Sequence, residues 1–243
     1  MNPAEFARAI QFQGFSPLTL PSQGEPEQWE WQDTLLPEHD SGFKTLLAPL
    51  QAIPKLSTFA MAALINFAVR QMPSQQCFLN IGTWYGFSFL AGIIGNPTKI
   101  CIGVDNFSND IVSTLNLRLP PSDPEPHFRA WFDQQRSPMH AFFKLEFRDY
   151  FELFHQNMPI GLYFYDADHA YAAQYEGLEL AHPCLAPGAW ILVDDINEEG
   201  PYQATLDFLQ DHRDQYSLAF EQKTYCNGHP SFWNGLMLLQ KQL

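Results

Sequence analysis

Residues 160–197, IGLYFYDADHAYAAQYEGLELAHPCLAPGAWILVDDIN, decide the fold. Ile160 to Tyr165 is an unbroken apolar and aromatic run that ends on Asp166 and Asp168, and Gly188 to Val193 is a second that ends on Asp194 and Asp195. Between them Tyr171, Tyr175, Leu178 and His182 recur at three to four residues, the period of a helix, and Pro183, Pro187 and Gly188 mark its exit. Two apolar strands joined by one helix predict parallel strands buried on both faces. Their acidic ends then share one rim, and open parallel sheets bind ligands outside the carboxyl ends of their strands.

Upstream, Cys77 to Ile81 reads as a short strand running into Gly82-Thr83-Trp84-Tyr85-Gly86-Phe87-Ser88 and a helical run from Phe89 to Ile94. The glycines permit a tight turn and a close approach of backbone to ligand, and the helix start offers free N–H groups. The next strand, Lys99 to Val104, ends at Asp105, 19 residues beyond Gly86. An acid at that distance is the usual partner of the ribose hydroxyls of a nucleoside cofactor. Residues 106–141 exceed a plain crossover, with Pro120, Pro121, Pro124 and Pro126 ahead of a short amphipathic helix, and read either as a lid or as a surface excursion. Ala141 to Phe147 reads as the third strand, followed by Arg148-Asp149 and a helix around Phe151 to Phe154. Pro201 to Arg213 reads as a helix, and Tyr216 to Lys223 and Phe232 to Leu239 as a closing hairpin around Cys226-Asn227-Gly228.

Residues 1–45 are polar, with Trp29, Trp31, Leu35 and Leu36 as anchors, and form an arm expected to pack on the domain or on a second copy of the chain. The domain proper is expected to occupy residues 46–243, opening with helical pieces separated by Pro54. A formal charge of −14 argues against a nucleic-acid partner, whose phosphates require clustered Lys and Arg. No run reaches a membrane span and MNPAEFARAI is no signal peptide, so a cytosolic protein is expected. Cys77, Cys101, Cys184 and Cys226 are too dispersed for a zinc site or a disulfide framework.

The order G-T-W-Y-G-F-S, G-V-D, R-D-Y, D-A-D-H-A-Y and L-A-P-G-A-W-I-L-V-D-D resembles class I S-adenosylmethionine-dependent methyltransferases, and among them the small-molecule O-methyltransferases of the catechol type and the methyltransferase 24 group. The resemblance covers residues 76–240. It implies a three-layer, Rossmann-like α/β fold with a seven-stranded, mostly parallel sheet, an antiparallel last strand, and the arm in front. It also implies S-adenosylmethionine as cofactor, with Gly82, Thr83, Trp84 and Gly86 along its methionine and ribose part and Ser88 at the turn's end. Asp105 would hold the ribose diol, and Arg148 and Asp149 would stand at adenine. Asp166, Asp194 and Asp195 match a divalent-metal set, which Mg²⁺ would fill, and His169 stands where the catechol type has a lysine base. One residue departs: Asn80 replaces the acid of E-I-G-T, which puts cofactor affinity in doubt.

Three converging carboxylates repel one another unless protons or a cation intervene. A metal would lower the pKa of a substrate hydroxyl and position its oxygen. Histidine can take the proton near neutral pH. Bland readings stand beside these: strand-end acids cap helices, and Asp168 suits an N-cap; His169 could simply bond a neighbouring acid; Trp84 could be packing. The other histidines show no ligand spacing. The functional expectation is O-methylation of a small hydroxylated acceptor, and the rival is a non-catalytic nucleoside-binding or assembly protein that keeps the fold. A nicotinamide dehydrogenase is disfavoured because G-T-W-Y-G is not G-x-G-x-x-G and leaves the late acids without a role.

Overall fold

The computed structural model describes residues 1–19, 30–37, 40–108, 123–155 and 158–242. Trp29, His39 and the Pro120-Pro121 part of the extended crossover lie outside them. Seven strands form one sheet: β1 (Cys77–Ile81), β2 (Ile100–Val104), β3 (His140–Phe143), β4 (Ile160–Tyr165), β5 (Leu185–Asp194), β6 (Tyr216–Gln222) and β7 (Leu236–Lys241). Their order is β3-β2-β1-β4-β5-β7-β6. β1 to β5 are parallel, and β7 lies antiparallel between β5 and β6. The order reverses beside β1, which opens a crevice at the carboxyl ends of β1 and β4.

The helices are α1 (Pro3–Ala9), α2 (Asp40–Leu47), α3 (Phe59–Gln71), α4 (Phe87–Ile93), α5 (Pro124–Gln135), α6 (Tyr171–Ala181) and α7 (Glu199–Asp211). Side chains alternate across a strand. Phe78, Leu162, Phe164, Leu192 and Leu238 therefore meet the layer of α3, α4 and α5, while Leu79, Tyr163, Tyr165, Ile191 and Val193 meet α6 and α7. The strands are apolar on both faces because both are covered, as the opening stretch implied.

The arm explains why α3 is apolar all round. Every residue from Phe59 to Val69 is buried, with the sheet on one side and the arm on the other. Phe6 of α1 stacks on Phe67 at 4.3 Å, and Trp31 lies 4.3 Å from Phe59. At the start of α3 the Thr58 hydroxyl accepts from the Met61 N–H and the buried Glu30 carboxylate accepts from the Phe59 N–H, two of the free donors of a helix start. Glu30 is itself ion-paired with Lys55. α2 spans the expected boundary at residue 45, so the arm joins the domain without a linker there.

Several boundaries differ from the sequence expectation, among them β5, which spans Leu185–Asp194 and not Gly188 to Val193. The third strand ends at Phe143 because Phe147 turns inward, edge-on to Tyr165 at 5.4 Å, and starts a helical turn. The last strand starts at Leu236, not Phe232, because Gly235 is left-handed (φ 92°) and the preceding residues fold back through a His229–Trp233 bridge. The short-turn hairpin is thus a longer connection, residues 223–235. The described part of the extended crossover contains a packing helix: Phe128 of α5 is fully buried among Phe89, Phe132 and Phe142, while the rest of the expected lid or surface excursion, residues 109–122, lies outside the described residues. Among the described residues no helix is long and apolar enough to cross a membrane.

Because Phe128 fills the space between α4 and β3, Phe128→Ala is expected to destabilise the protein by about 3–5 kcal/mol, read as a lower midpoint in denaturant unfolding with an unchanged slope.

Candidate active site

The turn after β1 is a left-handed excursion: φ is 81° at Gly82, 46° at Trp84 and 99° at Gly86. Glycine is obligatory at 82 for a second reason. A Cβ there would stand 1.8 Å from the carbonyl oxygen of Asp166, where the chain leaves β4. Asp105, at the end of β2, faces the turn. Its Oδ2 accepts from the backbone N–H groups of Thr83 (2.6 Å) and Trp84 (2.7 Å) and from the Thr83 hydroxyl (3.2 Å), and its Oδ1 accepts from the Phe107 N–H (2.6 Å). Asn80 is fully buried in β1 beneath the turn. Its Nδ2 donates to the carbonyls of Gly82 (2.9 Å) and Ile81 (3.3 Å). Its Oδ1 is buried without a hydrogen-bond partner, as is the indole Nε1 of Trp84.

Beside the turn lies the acidic rim. The Asp166 N–H donates to Ile81 O at 2.8 Å, which extends the β1–β4 ladder by one step, and the Ser88 hydroxyl donates to Asp166 Oδ2 at 3.3 Å. Asp195 Oδ2 is 3.1 Å from His169 Nε2, and His169 Nδ1 is 3.8 Å from Glu198 Oε2. One ligand atom from each of Asp166, His169 and Asp195 lies within 4.8 Å of the others. This converging set differs from the expected trio by holding His169 in place of Asp194. Adjacent residues at a strand end point to opposite sides, and Asp195 reaches the rim from a left-handed backbone (φ 54°) while Asp194 still pairs with Leu236 of β7.

Burial sets the proton affinity of these acids. Desolvation, reinforced by the charge of Asp195, pushes the Asp166 pKa up to about 7, with His169 and the Ser88 hydrogen bond opposing. Asp194 is raised well above the usual carboxylate range by burial and by Asp166 and Asp195. Asp195 is raised by burial, against the pull of His169 and of a hydrogen bond from Asn234. Three neighbouring carboxylates outnumber the one imidazole, so protons or a cation must make up the difference.

The remaining candidates fall nearby or outward. Asp168 Oδ1 accepts from the Ala170 N–H at 2.9 Å, so it forms a turn before α6 and is not the helix N-cap, which is Ala170. Arg148 makes a two-pronged pair with Glu176 of α6 and a third contact with Glu146, which also accepts from Asn106 beyond β2. Asp149 is exposed. Three residues were missed from sequence. Asn234 in the β6–β7 connection reaches Asp195 and accepts from the Gly228 N–H, and Glu198 faces His169. Gly200 lets α7 approach, since a Cβ there would stand 2.3 Å from the His169 carbonyl. The Asn234-Gly235 pair is an ordinary turn signal; nothing local marks the other two.

The donor sets fit the implied groups. A buried unpaired acceptor (Asn80) and donor (Trp84) flank the turn, and Asp105 Oδ1, with one donor, keeps acceptor capacity for a hydroxyl. Two carboxylates, one with a buried unpaired oxygen on Asp195, and an imidazole suit a divalent cation.

Residues 79–196 match the model of the family described as Methyltransferase domain (methyltransferase 24). No curated protein matches the chain by sequence. Solved structures share its fold. The O-methyltransferase from Bacillus cereus in complex with SAH is 12% identical, with TM-score 0.56 over 83% of this chain and 91% of that one. The O-methyltransferase TomG from Streptomyces achromogenes, in complex with SAM, is 12% identical, with TM-score 0.53 over 91% and 92%. The SAH-bound methyltransferase PaMTH1 from Podospora anserina is 12% identical, with TM-score 0.52 over 91% and 89%. With its strand order and its glycine turn the chain has the Rossmann-like fold of class I methyltransferases, and residues 79–196 match the model of their domain.

Proposed function

We propose that the protein transfers a methyl group from S-adenosylmethionine to a hydroxyl of a small metabolite, with His169 as the proton acceptor. The observation that carries this reading is the His169–Asp195 pair at 3.1 Å on the rim beside the glycine turn. The family match and the SAM- and SAH-bound structures of the same fold support the cofactor. When bound, S-adenosylmethionine supplies an electrophilic methyl on a sulfonium for in-line displacement.

The chain's own residues do the rest. Asp105 Oδ1 would take a ribose hydroxyl while Oδ2 stays with the turn, Asn80 and Trp84 would offer an acceptor and a donor to the methionine end, and Arg148 and Asp149 would serve adenine as the resemblance implies. Donation of the His169 Nε2 proton to Asp195 leaves Nδ1 with the lone pair, which makes Nδ1 the atom that takes the acceptor's proton. Asp195 then stabilises the imidazolium that forms. Asp166 and Asp195, with the His169 imidazole beside them and Asp194 of the expected trio turned away, would hold a divalent cation such as Mg²⁺ or Mn²⁺. That cation would supply charge compensation and a more acidic substrate hydroxyl. Asn80 motivates the alternative of a non-catalytic nucleoside-binding protein. SAH binding with no methyl transfer across a panel of hydroxylated acceptors favours that alternative.

Titration calorimetry is expected to detect SAH binding, weakened about tenfold or more by Asp105→Ala through loss of a charged hydrogen bond. No binding to the unaltered protein would sink the proposal. Given an acceptor, His169→Ala is expected to lower kcat by about 10²–10⁴-fold, while Asp168→Ala leaves it within a few-fold.

The rim also predicts a pH dependence. Asp166 titrates near 7 in the folded protein against about 3.9 unfolded, so the fold binds the proton more tightly. Its stabilising contribution is fully present below about pH 4 and is lost as pH rises through about 7. In chelator-treated protein the melting temperature should therefore fall over that window, and Asp166→Asn should flatten the fall. Mn²⁺ or Mg²⁺ should raise the melting temperature above pH 7, and a null result in both would remove the metal from the mechanism.

A further inference from the structure

The resemblance casts Asn80 as a weakened copy of an acid, yet its hydrogen bonds cannot be made by a carboxylate. The buried Nδ2 donates to two carbonyls, those of Ile81 and Gly82, that bracket the entry to the turn. A carboxylate oxygen in that position would face two carbonyl oxygens at 3.3 and 2.9 Å with no proton between. It would also bury a further negative charge close to Asp105, whose Oδ2 already binds the turn's Thr83 and Trp84 N–H groups.

The two side chains divide the turn between them: Asp105 accepts from its donors, and Asn80 donates to its carbonyls. We propose that Asn80 is a positioning residue that, with Asp105, clamps the Gly82–Gly86 turn in its ligand-ready conformation, and that an acid at position 80 would weaken cofactor binding instead of restoring it. The clamp leaves Oδ1 of Asn80 as a buried acceptor without a protein partner, available to an N–H or O–H group of the ligand. Gly82 makes the clamp necessary. Pressed against the Asp166 carbonyl, in a backbone conformation open to many states in glycine, this residue has no side chain to fix it, so its carbonyl must be fixed by another. This inference rests on the reading that the turn binds S-adenosylmethionine.

The test is SAH titration calorimetry on the unaltered protein and on Asn80→Asp, Asn80→Ala, Asp105→Ala and the Asn80→Ala/Asp105→Ala pair, each checked for folding by circular dichroism and thermal melting. Asn80→Asp is expected to bind about tenfold or more weakly than the unaltered protein and more weakly than Asn80→Ala. Binding by Asn80→Asp as tight as, or tighter than, the unaltered protein overturns the proposal. If Asn80→Asp does not fold, Asn80→Ala decides: affinity within about twofold of the unaltered protein overturns it. The double variant separates positioning from general stability. A shared clamp predicts that Asp105→Ala costs several-fold less affinity in the Asn80→Ala background than alone, whereas additive losses overturn the positioning role. Absence of SAH binding by the unaltered protein defeats the cofactor reading instead. The clamp is then read from melting alone, where Asn80→Asp melting at or above Asn80→Ala refutes it.

Discussion

The backbone of Gly82 lies against the carbonyl of Asp166, and this approach sets the distance between the cofactor turn and the acidic rim. β1 and β4 are hydrogen-bonded neighbours, Ile81 opposite Tyr165, and one further bond from the Asp166 N–H carries the ladder past the last paired residues. The two segments therefore leave the sheet at the spacing of adjacent strands, about 4.8 Å. No side chain fits between them. A methyl donor held by the turn and an acceptor held at the rim would be positioned by backbone geometry, which a rigid sheet defines more closely than packed side chains do. The Ser88 hydroxyl, on the first turn of α4, adds a side-chain tie between the same two parts.

The same geometry forces charge together. Asp166, Asp194 and Asp195 are brought close by strand termini whose positions are dictated by a sheet buried on both faces, so the acids cannot retreat to solvent without undoing β4 or β5. Their raised proton affinities express that constraint. His169, Ser88 and Asn234 relieve it in part, each with one contact. A site so loaded favours positive charge in whatever form reaches it: a proton, a metal ion, an imidazolium. The proposed base benefits directly, because a proton gained by His169 meets Asp195 at hydrogen-bond distance.

Most of the fold was legible in the sequence because it rests on local patterns. The apolar runs of β1, β4 and β5, the acid after each, and the helical period of α6 are visible without tertiary knowledge, and so is the order that carries the family resemblance. What escaped depends on contacts distant in sequence. The third strand stops early because Phe147 finds Tyr165, and the last one starts late because Gly235 takes a left-handed turn against Ile196 and Asn197. The rim shows both cases. Asp166 and Asp195 were readable as strand ends, but the choice of His169 over Asp194 as the third converging group follows from side-chain parity and from the left-handed backbone of Asp195. The doubt attached to Asn80 likewise came from comparing residue types, and only its two donated hydrogen bonds reveal a different solution to the same turn.

The arm, the start of α3 and the β6–β7 connection carry no motif, and hydrogen bonds tie them into one unit. The Thr58 hydroxyl at the start of α3 donates to the Ser231 carbonyl at 2.6 Å. His229 Nε2 donates to the Thr19 carbonyl at 3.0 Å, and the Tyr225 N–H donates to Pro17 at 2.7 Å, which binds the arm to the β6–β7 connection. That connection also supplies Asn234 to Asp195. The arm, the α3 cap and the rim are thus linked through main-chain carbonyls, which accept the same hydrogen bonds whatever side chains surround them. The glycine turn, in contrast, is fastened from the opposite side of β4, by Asn80, by Asp105 and by the Gly82 N–H bond to the Val104 carbonyl. Side chains on the arm and the connection can therefore change while the glycine turn keeps its geometry. A fold divided in this way lets one half stay recognisable in sequence while the other diverges.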